Sequence, residues 1–169
     1  MEDLDLAYKN VFLRVDFNVP LRDGMVRSDA RIRAALPTIK AAMGDNTRVT
    51  LASHCGRPRG QRNRKFSLEP VAQCLAELID AEIIFAEDCI GDSVKGLVKT
   101  QKSNQIILLE NLRFHAGEEE NTTEFSRELS RPFDVYINDA FGASHRSHAS
   151  ITGVTRFFSE CAAGLLLNR

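Results

Sequence analysis

Five short runs of apolar, largely β-branched residues set the fold: Val11–Phe17, Val49–Ser53, Ile83–Ala86, Ile106–Leu109 and Val135–Asn138. A strand with no polar face must be covered on both sides, so most of these runs read as interior strands of a parallel sheet. Between the first two, Ile32, Leu36, Ile39 and Met43 recur at steps of 4, 3 and 4 residues, the spacing of one helix face. Strands alternating with helices are the pattern of βαβ units. The expected fold is therefore α/β and Rossmann-like: three layers, with a parallel β-sheet covered by helices on both faces.

The remaining helices are read from their caps. Ser28 or Asp29 can open the first, in which Pro37 should produce a kink or mark the true first turn. Ser67 caps a second, with Glu69 and Pro70 in its first turn and Val71, Leu75, Leu78 and Ile79 along its face. Thr122 or Thr123, followed by Glu124, opens a shorter one through Leu129. Val154, Phe157, Phe158, Cys161 and Leu165 stand at helical spacing in a last segment, Val154–Leu167. Cys55–Lys65 and Phe114–Asn121 read as long polar loops. No linker divides the 169 residues, which form one domain, 1–169. The sequence ends on Leu165-Leu166-Leu167-Asn168-Arg169, an apolar finish from which more protein is expected to follow.

In a parallel sheet all C-terminal strand ends share one edge, and ligands of open α/β sheets bind there. Arg57, Arg113 and Arg146 each stand at or just past such an end, and His54 precedes Arg57 by three residues. Guanidiniums gathered on one edge repel each other, and a small polyanion bearing phosphate or carboxylate would relieve that repulsion. At the first strand tip, Asp16 and Asn18 alternate with Val15, Phe17 and Val19, so both should project from the same side. A carboxylate beside an amide suits a hydroxyl group, and it equally suits a strand-end turn. Gly56 lets the backbone approach a ligand closely.

Other chemistries are poorly served. Cys55 follows His54 directly, and nothing in sequence lowers the thiol pKa, so a Cys–His nucleophile is disfavoured. His145 and His148 could ligate a metal only with further ligands that the sequence does not offer, and no metal is expected. The basic run Arg59, Arg62, Arg64 and Lys65 and the acidic run Glu118–Glu120 read as solvated surface. The formal net charge of -1 excludes a general nucleic-acid binder. No run is long enough to span a membrane, the acidic N-terminus is no signal peptide, and four scattered cysteines indicate reduced thiols in the cytoplasm. Neither GxGxxG nor GxxxxGK[ST] is present, so no nucleotide site is read here.

The stretches RVDFNVP (14–20), DARIRAAL (29–36), SHCGRP (53–58), LENLRFH (109–115) and NDAFGASHRSH (138–148) together resemble the phosphoglycerate kinase family, in order and over nearly the whole chain. The resemblance is to its N-terminal, 3-phosphoglycerate-binding domain. It implies reversible phosphoryl transfer between 1,3-bisphosphoglycerate and ADP, giving 3-phosphoglycerate and ATP. It further implies that Asp16, Phe17 and Asn18 lie at the substrate, that Arg31 faces the phosphoryl group in flight as the catalytic residue, and that His54, Cys55, Gly56 and Arg57 loop around the substrate. Arg57, Arg113 and Arg146 would hold the non-transferred phosphate. Mg2+ and ATP/ADP would belong to a C-terminal domain that these residues do not include, so none is expected on this chain. Cys55 departs from the aliphatic residue usual in the family, and Ser144 and Ser147 replace common alanines. The competing reading is a free-standing, non-catalytic module for a phosphorylated small acid.

Overall fold

The computed structural model describes residues 1–169. The chain runs β1 (Asn10–Arg14), β2 (Leu21–Arg22), β3 (Met25–Val26), α1 (Ala30–Ala42), β4 (Arg48–Ala52), α2 (Glu69–Leu78), β5 (Glu82–Phe85), α3 (Asp92–Thr100), β6 (Gln105–Leu108), α4 (Ala116–Glu120), α5 (Thr123–Ser130), β7 (Val135–Asn138) and β8 (Cys161–Ala163). Six strands form one sheet in the order β5-β6-β4-β1-β7-β8, and every pairing is parallel. β2 and β3 make a small antiparallel hairpin beside it.

Pleat alternation divides the core. Val11, Leu13, Val49, Leu51, Ile106, Leu108, Val135 and Ile137 face α1 and α2, packing on Ile32, Ile39, Val71 and Leu75. Phe12, Ala52, Ile107 and Tyr136 face the other way, onto Val94 and Val98 of α3 and Phe125 and Leu129 of α5. Both sheet faces are thus covered, as the unbroken apolar strands require. The three-layer parallel α/β fold is the one expected.

Several local expectations need correction. β1 stops at Arg14, three residues early, although Val15 still donates its N–H to Ala52 O at 3.0 Å. α1 runs unbroken through Pro37, which sits on its solvent side. Asp29 stands at its N-cap position, but its side chain makes no capping bond: the carboxylate takes the Arg33 Nε–H at 2.9 Å instead. Leu68 occupies the cap position of α2, and the Ser67 hydroxyl accepts from Glu69 N at 3.2 Å. Thr122 does cap α5, accepting from Phe125 N at 3.3 Å. Val154–Leu167 is not a helix. It is a 3-10 turn (Gly153–Phe157) followed by edge strand β8. α3 and α4 were not foreseen; α4 lies inside the expected Phe114–Asn121 loop.

Candidate anion site at the C-terminal sheet edge

β1, with β4 on one side and β7 on the other, carries the centre of the site. Past its tip the chain turns on the Asp16 carboxylate, which accepts from Asn18 N at 3.1 Å. Arg31, in the first turn of α1, reaches back with Nη1 to both Asp16 oxygens (3.1 and 3.2 Å) and to Asn18 O (3.0 Å). Asn18 Oδ1 accepts from Gly56 N at 2.9 Å, and Gly56 O accepts from Arg113 Nη1 at 3.0 Å. Hydrogen bonds therefore join Arg31, Asp16, Asn18, Gly56 and Arg113 in one chain across the ends of β1, β4 and β6.

The turn after β4 is built tightly. Gly56 has φ +63°, and a Cβ there would lie 2.5 Å from the Phe66 ring. The close approach that calls for glycine is thus to Phe66, and both Gly56 backbone polar groups are already paired within the protein. Asn111 pins the turn from the β6 side. Its amide donates to Cys55 O (2.7 Å) and Phe66 O (2.9 Å), and its oxygen accepts from Cys55 N and Arg113 N. Phe17 and Cys55 send their side chains into the core beneath α1 and α2. A ligand could meet these two positions only through their backbone. Burial pushes the Cys55 thiol up to about 11, so it is no nucleophile at neutral pH.

The basic groups meet next to this frame. Desolvation, then Arg14, Arg113, His148 and Arg146 in that order, drive His54 down to about 2, which leaves its imidazole neutral. Burial and, after Glu119, the charges of Arg146 and Arg14 bear on Arg113, and its pKa is lowered. His54, Arg113 and Arg146 therefore converge, joined by Arg14 and His148, which sequence reasoning had left out of the site. Arg14 is fully buried, a cation within an otherwise apolar strand; that oddity was visible in the sequence. Arg113 is 5% exposed, and its buried Nε has no hydrogen-bond partner. Glu119 comes only to 3.7 Å of it.

Arg31 stands apart from that group. Arg57 is exposed and follows Gly56 in the turn after β4. Arg31 borders a separate 160 Å³ cavity with Asp16, Asp139, Phe141 and Gly142. Glu118 corrects the reading of 118–120 as solvated: it is fully buried and accepts from Ser150 N at 2.7 Å and Ser150 Oγ at 2.5 Å.

A sequence profile described as phosphoglycerate kinase matches residues 1–169. The chain belongs to the phosphoglycerate kinase family. It is 55% identical over its whole length to a phosphoglycerate kinase of Anaeromyxobacter sp. (strain Fw109-5), and covers 43% of that protein. It is 50% identical to the phosphoglycerate kinase of Acidobacterium capsulatum, covering 44%. Among solved structures, 99% of the chain superposes on 42% of phosphoglycerate kinase from Coxiella burnetii with a TM-score of 0.86 at 37% identity. The enzyme from Pyrococcus horikoshii gives the same TM-score at 36% identity. The chain thus spans less than half the length of these phosphoglycerate kinases and corresponds to their N-terminal portion.

Magnesium and a nucleotide go with that family. One group of potential metal donors exists, Asp88, Cys89 and His115, with ligand atoms within 4.8 Å of each other. A thiol and an imidazole are not the oxygen set that magnesium takes. Asp88 is moreover engaged by His115 at 2.7 Å and by Arg62 at 3.5 Å. These residues do not fit the ion.

Proposed function

We propose that this chain is the 3-phosphoglycerate-binding half of a phosphoglycerate kinase, which transfers a phosphoryl group reversibly between 1,3-bisphosphoglycerate and ADP. The observation that carries the reading is Arg113: a nearly buried guanidinium with an unpartnered Nε, set beside Arg146 and the neutral His54. A buried donor without a partner costs free energy until a ligand supplies an acceptor, and a neighbouring cation makes an anion the favoured ligand.

On this reading Arg113, Arg146 and Arg57 hold the phosphate that is not transferred. Asp16 and Asn18 orient the hydroxyl and acid end, and His54 donates a neutral hydrogen bond. Arg31 exchanges Asp16 for the phosphoryl group in flight, whose spreading negative charge suits a planar guanidinium. The acid's carboxylate is itself the nucleophile toward ATP, so no general base is needed. Nucleotide and magnesium would be held by a second domain, and closure of the two would exclude water. Four free cysteines fit the cytoplasm expected of such an enzyme.

The test is a pair of calorimetric titrations of this chain, one with 3-phosphoglycerate and one with MgADP. Binding of the first and not the second is expected. A chain that ignores 3-phosphoglycerate at millimolar concentration, or binds MgADP as well, would overturn the assignment of roles.

A further inference from the structure

His54 is held by a chain of hydrogen bonds that begins two elements away. Glu118, in the five-residue helix α4, accepts from both the backbone N–H and the hydroxyl of Ser150. With its hydrogen committed to Glu118, the Ser150 oxygen has only lone pairs to offer, and it accepts from Arg14 Nε at 2.8 Å. Arg14 has donors only. Its Nη1 gives to Val15 O, and its Nη2 lies 2.9 Å from His54 Nδ1. That ring nitrogen must therefore accept. The single N–H of the neutral imidazole is then on Nε2, which makes no hydrogen bond within the protein.

Arg14, which can only donate, sets the polarity at His54, and Glu118 sets it at Ser150, whose lone pair then holds Arg14 Nε in place beside the ring. A carboxylate forces the Ser150 hydroxyl to point toward it, which in turn frees the serine lone pair for Arg14. The same segment, stitched to α4 a second time by Ala149 N donating to Glu118 O at 2.8 Å, also carries Arg146 and His148. Arg14, Glu118 and Ser150 are all fully buried, so water does not substitute for any of the three. Glu118 meets Arg14 through the serine hydroxyl instead of pairing with it directly, which a simple charge-neutralising role would not require.

We propose that Glu118 is a positioning residue: acting through Ser150 and Arg14, it fixes the orientation and tautomer of His54 so that Nε2–H is presented to the bound acid. This rests on the 3-phosphoglycerate reading for the identity of the ligand, whereas the tautomer is a property of the free protein.

The experiment compares Ser150→Ala, which removes the relay and keeps both charges, with Glu118→Gln, on this chain. The first readout is the His54 ring in long-range proton–nitrogen NMR spectra without ligand. The wild-type pattern should be that of a single Nε2–H tautomer, and both variants should shift toward a tautomer mixture. The second readout is affinity for 3-phosphoglycerate, expected to fall about tenfold, the scale of one charge-assisted hydrogen bond. In a His54→Gln background the same substitutions should cost little further affinity. An unchanged ring pattern in folded Ser150→Ala, or equal affinity losses with and without His54, would overturn the proposal. Should Glu118→Gln fail to fold, Ser150→Ala decides alone. Should the wild type not bind 3-phosphoglycerate, the function fails and the NMR comparison still judges the relay.

Discussion

Arg31 Nη1 sits 3.1 Å and 3.2 Å from the two carboxylate oxygens of Asp16. The guanidinium is 53% exposed while the carboxylate is 10% exposed, so the pair is easily opened from the arginine side. Arg31 is thus parked and available. In a two-domain enzyme containing this half, Arg31→Ala should lower kcat by two orders of magnitude or more, as for loss of a transition-state donor. It should change 3-phosphoglycerate affinity far less. Equal losses in turnover and in measured affinity would contradict a role confined to the transition state.

Arg57, Arg113 and Arg146 should each matter for binding. Replacement of any one by alanine is expected to weaken 3-phosphoglycerate binding by roughly 1.5–3 kcal/mol, the scale of a charged hydrogen bond. Arg57 and Arg146 are exposed, so their loss should leave urea unfolding unchanged within about 0.5 kcal/mol. Calorimetry and urea titration of the three variants check both halves of this expectation.

His54 makes stability depend on pH. Its folded pKa lies near 2, far below the unfolded value near 6.5, so between these values the unfolded chain binds a proton that the folded chain does not. Stability from this group is complete above about pH 6.5 and is lost as pH falls below it, at up to about 1.4 kcal/mol per pH unit. Urea unfolding at pH 7, 6 and 5 should show the decline. His54→Gln should flatten it; an unaltered slope in that variant would assign the proton elsewhere.

Gly56→Ala attacks the frame of the site. The backbone at φ +63° disfavours any side chain by on the order of 1–2 kcal/mol, and the new methyl would press on the Phe66 ring. The variant should unfold at lower urea and lose affinity together, because the same turn places Arg57 and accepts from Arg113. Wild-type stability in that variant would show that the turn relaxes freely.

The sheet was legible because fully covered strands such as Ile106–Leu108 and Val135–Ile137 carry no polar alternation to confuse them. β8 was not, because Val154, Phe157, Phe158 and Cys161 satisfy helical spacing while an edge strand of three residues has too little pattern of its own. α3 escaped notice because it buries only Val94 and Val98 and carries Gly96. At the candidate site, the placing of Arg113 and Arg146 near His54 was legible from their position past strand ends. Arg14 and Glu118 were missed because their meaning lies in each other: a charge read alone looks like surface, and only the fold shows the serine between them.

The central position of β1 has a consequence for how the chain is made. Val11 pairs with Val49 on one side and with Val135 on the other, 124 residues away. Until Val135–Asn138 leave the ribosome, the middle of the finished sheet is an open rim, able to recruit a foreign strand. The proposed anion site straddles that late seam, so a nascent chain would gain it and close its most vulnerable edge in one event.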